Sequence, residues 1–511
     1  MRGLIRIAGV LVALVLWQGA AWPYPDSFVF AGPFGILSYL AQNAGLLARA
    51  TMATAENAAW GFIWGNLAAI LMAGLVILIP SVERLTATIA LVIFCLPMVA
   101  TGPILRVIAG PGDVPEIALA ALAVYYTTFL ALIVGLRAMP QSWLDLVQVY
   151  GRSAITALFT VRARASVPYL FVGLQIAAPA AFLGAMIGEF TGSERGLGVL
   201  TLRAMRALDV DATWTLAMVS ACVSMLAYGA FGWLGRWLVG YVPTLILSPP
   251  ASLKRRPVLH RVFEVIGIVL LILLLWQVTM DAFGLNRFFA KRPGDVLSYL
   301  ASNGEARATL WAALIQTFKT TLPGYLAGLL LGAGFAMIVV LTPAVAVIVL
   351  PVSVALRAIP IITTAPLIVL ALGRGAAGTI TVVAVMIFFP TFVACAQGLR
   401  QAPGQITDLF RSYGAGRFRL LFTAQIPAML PAFFAAAKMA VPAAILAVTT
   451  TEWLATGKGI GVLMALTATT SNYNMLWVCI VAITVFAALL YAVVVSVERA
   501  VLNIYASEQV T

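Results

Sequence analysis

Charge is what this sequence has least of. Of its 511 residues 10% are charged and 62% hydrophobic, and the mean hydropathy is +1.03. A soluble domain carries about 25% charged residues, and so apolar a chain has too few charged groups to cover a water-facing surface. A cytosolic enzyme, a nucleic-acid binder and a disordered protein are thereby excluded. Histidine occurs once, as His260; cysteine occurs four times, at Cys95, Cys222, Cys395 and Cys479, always inside apolar runs and never as CxxC. Those residues assemble neither a metal-ligand cluster nor a disulfide framework. There is no G-x-x-x-x-G-K-[ST] phosphate loop, so any energy from ATP has to enter through another chain. The net charge of +13 reads as topology, because surplus Lys and Arg in membrane proteins mostly set orientation.

Long apolar runs are what the chain does have. A helix needs about 20 apolar residues to cross the hydrocarbon, and twelve stretches qualify: 4–22, 58–79, 86–108, 116–136, 168–188 and 213–238, then 262–283, 321–341, 345–372, 378–398, 430–450 and 476–497. The runs are continuous rather than alternating, which predicts an all-α polytopic membrane protein and excludes a β-barrel. With the N-terminus inside, inner segments hold 17 cations and outer ones 11, which puts both termini in the cytoplasm. Residues 1–22 imitate a signal peptide. Trp17-Gln18 nevertheless recurs as Trp276-Gln277 in a span that cannot be one, so cleavage is not expected.

The two halves repeat each other. Leu37 to Ala41 recurs as Leu297 to Ala301, and from Thr54 to Arg236 the offset is a constant 263. Matched pairs include Gly61/Gly324, Pro97/Pro360, Pro103/Pro366, Glu189/Glu452, Gly196/Gly459 and Trp214/Trp477. The expected organisation is a first unit over 1–240, a linker over 241–261 and a second unit over 262–511. The linker holds four prolines and the basic run Lys254 to Arg256, read as a topology and lipid-headgroup contact, with His260 a solvated residue beside it. Six spans per unit is an even number, so both copies enter the membrane in the same direction, about an axis along its normal. A central path between the halves suits a transporter or channel, and no permease homodimer is needed.

The longest inner loops, 137–167 and 400–429, open with Gly-Leu-Arg and run on to Asp-Leu-x-x-x-Tyr-Gly at 145–151 and 408–414. Leu146 and Tyr150 stand four apart on one helical face, as do Leu409 and Tyr413. Leu158-Phe159 and Leu421-Phe422 follow. Each loop reads as a short amphipathic helix with a glycine bend. One reading lays it on lipid; its retention in both copies favours a docking element.

These loops carry a resemblance. The chain resembles the inner-membrane permeases of bacterial ABC importers, in the nitrate/sulfonate/taurine-type branch, whose cytoplasmic signature is Glu-Ala-Ala-x-x-x-Gly, nine residues, then Ile-x-Leu-Pro. Asp408 stands at the Glu, Gly414 at the Gly, and Ala424-x-Ile426-Pro427 at the last four; Asp145 and Gly151 match in the first copy, whose tail ends in Arg164 instead of proline. Leu356 to Pro360 is similar to the family's Leu-Arg-Pro-Ile-Pro, and Glu189 and Glu452, each followed by Gly-x-Gly, to its Glu…Gly-Leu-Gly. The resemblance implies a type I importer permease fold with two normally separate units fused. It implies partners: two ATPase subunits on the cytoplasmic side and a periplasmic or lipid-anchored binding protein, in the bacterial inner membrane. It implies no cofactor in this chain, with ATP and Mg on the ATPase subunits. Asp145, Leu146, Tyr150, Gly151, Leu158 and Phe159, with Asp408, Leu409, Tyr413, Gly414, Leu421, Phe422 and Pro427, become the coupling residues. The second loop keeps more of the signature, so unequal coupling is expected.

Polar groups within spans are costly and invite a functional reading. The candidates for the path are Asn66, Gln175, Glu189, Thr363, Thr364, Lys438, Thr450 and Glu452. A cation such as Lys438 facing the path suits an anion, a sulfonate or nitrate; a vitamin precursor is the other solute expected of the branch. Other roles stay open: Lys438 snorkelling to the inner headgroups, and Glu189 and Glu452 capping loop glycines or pairing with Arg195 or Lys458. Arg106 and Arg357 are read as interface anchors. Phe34 to Leu47 and Pro293 to Leu310 are expected as amphipathic helices at the outer surface. The alternative to an importer is an ion-gradient-driven twelve-span transporter. Its embedded carboxylate and basic loop between spans two and three have no counterpart in the sequence.

Overall fold

The computed structural model describes residues 15, 17–19, 31–110, 112–139, 141–240, 258–342, 365, 368–369, 371–373 and 375–505. All regular structure among them is helical. The first copy comprises α1 (Pro33–Gln42), α2 (Ala44–Leu78), α3 (Glu83–Cys95), α4 (Met98–Ala109), α5 (Val114–Arg137), α6 (Gln141–Val149), α7 (Ala154–Phe190), α8 (Leu197–Ala207) and α9 (Val210–Val239). The second comprises α10 (Val258–Ala282), α11 (Pro293–Ser302), α12 (Gly304–Leu341), α13 (Ala376–Arg400), α14 (Gly404–Ser412), α15 (Arg417–Thr456), α16 (Ile460–Thr469) and α17 (Tyr473–Tyr505). Helices α2 and α5 to α9 recur as α12 to α17 at the offset of the sequence repeat, while the counterparts of α3 and α4 lie almost wholly outside the described residues.

Eight of these helices are long and apolar enough to cross a membrane, and the bent pair α3–α4 makes a ninth. The apolar part of α10 covers the seventh expected span. The expected spans 4–22 and 345–372 fall almost wholly outside the described residues, as do Arg357, Pro360, Thr363, Thr364 and Pro366. Both termini lie outside them too, and so does the expected linker except its last four residues, which open α10.

Several spans exceed their expected lengths. Helix α2 runs 35 residues, about 52 Å at 1.5 Å per residue, against about 30 Å of hydrocarbon. The expected outer amphipathic segments are accordingly shorter: α1 and α11 are ten-residue helices, and Ala44 and Gly304 already begin the long helices behind them.

Small residues set the packing inside each copy. A Cβ on Gly65 would lie 2.6 Å from the Ala121 carbonyl oxygen, and one on Gly328 2.7 Å from that of Ala384. The α2–α5 and α12–α13 pairs can therefore approach backbone to backbone, as helices in lipid do in the absence of a hydrophobic drive between them. Between α3 and α4 the chain turns by 93°. Leu96 is extended and Pro97 caps α4, as expected of a residue held out of the helical region by the proline after it. Pro103 lies inside α4 without ending it.

This broken span belongs to both halves. Its Cys95, Ala100 and Ile104 share a buried cluster with Ile445, Val448, Ile460 and Leu476 of the second copy. Tyr126 of α5 and Tyr491 of α17 line one pocket together with Ala87 and Leu91 of α3. Arg106 of α4 reaches both the Glu116 carboxylate and the Gly112 carbonyl oxygen, which fixes the turn from α4 into α5.

Candidate functional site

The two longest loops between spans, 137–167 and 400–429, fold alike. Helices α6 and α14 each end two residues before a glycine in the left-handed region, Gly151 at φ +64° and Gly414 at φ +66°, a conformation that costs any residue with a Cβ. The chain then enters α7 or α15 and passes through a π turn, Leu158–Arg162 or Leu421–Gln425. The first copy makes this turn with Arg164 where the second has Pro427, so the proline is not what creates it.

Around each glycine stands an exposed apolar set. Tyr150 is 74% exposed and Tyr413 83%; Phe159 is 68% and Phe422 64%. Leu146 and Leu409 are exposed beside them, and Asp145 and Asp408 lie exposed on the same short helices. Leu158 and Leu421 are instead buried, the first among Ala73, Val76 and Leu136, the second among Ala336, Leu399 and Met429. They anchor the loops to the bundle and leave the surface to their neighbours. Sequence reasoning missed Trp143, Ile155, Ile406 and Phe418, all exposed on the same faces. The 263-residue offset pairs them as 143/406 and 155/418, a signal that was available. Pro427 is half-buried within α15.

At the opposite end of α7 and α15 from these loops, Glu189 and Glu452 are buried against the short helices that follow. The Gly198 amide donates to Glu189 Oε2 at 2.6 Å, and the Gly461 amide to Glu452 Oε2 at 2.9 Å. Thr54 Oγ1 accepts from the Leu197 amide at 2.8 Å, and Thr317 Oγ1 from the Ile460 amide at 2.9 Å. The Thr317 hydroxyl donates to Glu452 Oε1 at 2.8 Å. Each carboxylate thus satisfies one of the first-turn amides that a helix leaves open and each threonine another, on α8 and α16, and each acid meets their partial positive charge. Arg195 pairs with Asp113 at 2.7 Å, and Lys458 is exposed. Thr54 and Thr317 were not singled out from sequence, although they open the constant-offset stretch.

The other polar candidates separate. Lys438, midway along α15, is paired with Glu498 of α17 at 2.8 Å, both largely buried. The Gln175 amide packs onto Gly232 of α9. Asn66 donates to the Phe62 carbonyl oxygen at 2.7 Å, and its own Oδ1 is buried without a partner, as is Thr450 Oγ1.

Between the copies lies a cavity of about 190 Å³, walled by α5 and α7 on one side and by α13 and α15 on the other. Four repeat-related pairs line it: Thr127/Pro390, Leu130/Val393, Val172/Ala435 and Ile176/Met439. A cavity lined by equivalent positions from both copies sits on the axis that relates them. Further along α7 and α15, Phe190 and Trp453, another repeat-related pair, meet edge to face.

Two parallel helical units around an axial cavity, each hanging an amphipathic helix on a glycine bend, define a membrane-transport permease. The chain belongs to the family described as binding-protein-dependent transport system inner membrane component, which matches residues 65–240 and 324–503. It is similar to a Haemophilus influenzae protein named "Probable ABC transporter permease protein", 30% identical over 232 residues, 45% of this chain and 94% of that one. It is also similar to the riboflavin transport system permease protein RibX of Chloroflexus aurantiacus, 26% identical over 45% of this chain and 87% of that one. A third relative is the formylaminopyrimidine transport permease protein ThiX of Halalkalibacterium halodurans, 25% identical over 38% of this chain and 76% of that one. Each relative is matched by less than half of this chain, in keeping with two units in one polypeptide.

Proposed function

We propose that this chain is the membrane-spanning permease subunit of an ATP-driven importer, forming the path for a small solute that a periplasmic or lipid-anchored binding protein delivers. One observation carries the reading: the same apolar side chains, Leu146, Tyr150 and Phe159 and their counterparts Leu409, Tyr413 and Phe422, stand exposed on both cytoplasmic loops. Two equivalent surfaces suit two copies of an ATPase subunit. ATP and Mg act on those subunits, and closure of the ATPase pair draws the loops together. A ligand shifts such an equilibrium only through surfaces that differ between the states, and the buried Leu158 and Leu421 transmit the movement into the bundle. Glu189 and Glu452 are pins for the outer short helices rather than solute contacts.

The names of two relatives, which speak of riboflavin and formylaminopyrimidine, support a vitamin or vitamin precursor as the solute, beside the sulfonate or nitrate expected of the branch. The decisive experiment is purification of the chain from its native membrane. An ATPase subunit at two copies per chain, with hydrolysis stimulated by the binding protein, is the expected result. Uptake that follows an ion gradient, with no ATPase bound, would replace the reading by a secondary transporter.

A further inference from the structure

The pocket beside the broken span takes no part in the path proposed above. It measures about 260 Å³ and is walled by α3 and α5 of the first copy, with Val76 of α2 and Tyr491 of α17 at its sides. Apart from Leu130, which borders both, it shares no residue with the axial cavity among the described residues. Two stripes make its walls. On α3, Glu83, Ala87 and Leu91 follow at four-residue steps, and on α5 Tyr126, Leu130, Ile133 and Arg137 keep steps of three or four, so each set shares one helical face. The two helices run in opposite directions. Arg137 pairs with Glu83 at 2.6 Å at one end, and Tyr126 stacks on Phe94 at 4.3 Å toward the other.

This slot has a charged end, a largely hydrocarbon length and a definite depth. Glu83 opens α3 and Arg137 ends α5, so their ion pair sits at the ends of two spans, and each side chain stays 37% exposed. The eleven residues from Arg137 back to Tyr126 cover about 16 Å of helix, about half of a 30 Å hydrocarbon core. On its other face α2 exposes Leu71, Leu75 and Leu78, which sets this edge of the bundle against lipid.

An apolar slot one leaflet deep, charged at the membrane boundary, matches a phospholipid chain and its headgroup. Both signs of charge stand there. A phosphate suits the guanidinium of Arg137, and a primary ammonium, with three N–H donors, suits the carboxylate of Glu83. A headgroup of net negative charge would set its surplus against Glu83, and a trimethylammonium has no N–H to donate. The second copy does not repeat the ends of the slot: Ala346 stands at the position of Glu83 and Phe389 at that of Tyr126, although Arg400 repeats Arg137.

We propose that this slot holds one phospholipid per chain, its headgroup phosphate on Arg137, its ammonium on Glu83, and an acyl chain along the α3 and α5 stripes toward Tyr126 and Tyr491. The bound lipid touches both copies, because Tyr491 belongs to the second. It also fixes the point where the loop 137–167 leaves the bundle, because Arg137 is that loop's first residue. The site stands whatever solute the path carries and whatever drives it.

The test uses the full chain, purified in a mild detergent, stripped of lipid and offered dioleoyl phosphatidylethanolamine, phosphatidylcholine or phosphatidylglycerol. Native mass spectrometry then counts what is retained. One phosphatidylethanolamine per chain is expected, held at least about fivefold more tightly than the other two because only it satisfies both charges. Glu83→Gln should erase the preference over phosphatidylcholine. Ala87→Trp, which fills the slot from an exposed position, should abolish retention of the lipid. Arg400→Ala, at the equivalent place in the second copy, should change neither result. If the tryptophan variant does not fold, Glu83→Gln decides alone. O-phosphoethanolamine, the headgroup without its chains, should fail to displace the lipid even in excess. Displacement by it would make the pair a site for a soluble ligand and overturn the proposal. Equal retention of all three lipids, a preference for phosphatidylglycerol, or loss of the lipid with Arg400→Ala would overturn it as well.

Discussion

Phe190 and Trp453 are the same position in the two copies, and they touch: their rings meet edge to face with centroids 6.1 Å apart and planes at 73°. Only residues at the axis can meet their own repeat. Val99, Leu119 and Ile187 from the first copy share their apolar cluster with Leu446 and Leu454 from the second. This contact lies on the axis beyond the cavity, toward the C-terminal ends of α7 and α15. An edge-to-face pair is worth about 1 kcal/mol beyond the area it buries, so Trp453→Ala should shift the closed-to-open balance about fivefold. Basal ATP hydrolysis of the assembled complex, without binding protein, reads that shift; an unchanged basal rate would mean the pair is not a seal.

The buried pair of Lys438 and Glu498 gives a stability prediction. Lys438→Met leaves Glu498 buried and unpaired, at about 3–5 kcal/mol, while Lys438→Met with Glu498→Leu should recover most of the loss. Thermal melting of the detergent-purified chain checks it. A double variant no more stable than the single one would show that the carboxylate had another partner.

The outer pins should behave as units. Glu452→Ala removes the acceptor for both Thr317 and Gly461, and about 2–4 kcal/mol of stability is expected to go with it. Thr317→Val should cost about 1–2 kcal/mol alone and somewhat less in the Glu452→Ala background, where only its bond from the Ile460 amide is left to lose. Melting curves of the three variants supply the cycle, and strict additivity would contradict the shared network.

The loop surfaces predict a transport defect without a folding defect. Tyr150 and Tyr413 are exposed, so alanine at either should leave the melting temperature within the range of ordinary surface changes, about 0.5 kcal/mol. Coupled ATP hydrolysis should fall in both, and further with Tyr413→Ala, whose loop keeps more of the family signature. Equal losses would remove the asymmetry.

Gly414→Ala places a Cβ at φ +66°, where about 1–2 kcal/mol of backbone strain is expected. Gly404→Ala, at a position with nothing around it and no left-handed φ, is the matched control. Indistinguishable melts would mean that the bend relaxes.

The sequence was most legible where the physics is local. An apolar run long enough to cross the bilayer shows itself, and so does the glycine that a left-handed bend demands. Tyr150 and Phe159 could be placed on a surface because four-residue spacing decides a helical face. Leu158 was placed there too, yet it is buried beside Ala73, Val76 and Leu136, and the π turn that begins at it left no mark in the pattern. Pro97 and Pro103 look alike in one dimension. Only the first breaks its span: Leu96 before it is extended, whereas Pro103 lies inside α4 without ending it. Glu189 and Glu452 were visible as buried acids, but their use depends on Thr54 and Thr317, more than 130 residues away.

By itself, then, the amino-acid order determined the helical class, the duplication and where along the chain the two long loops fall, since run length, parity and repeat offset are properties of a line. Tertiary structure alone decided that Lys438 is matched by Glu498, that α3 and α4 are shared between the halves, and that equivalent residues face one another across a small apolar chamber. Those outcomes turn on which distant surfaces come within a few ångströms, and helix packing in lipid, driven by close fit among small side chains, sets that only once every helix is in place.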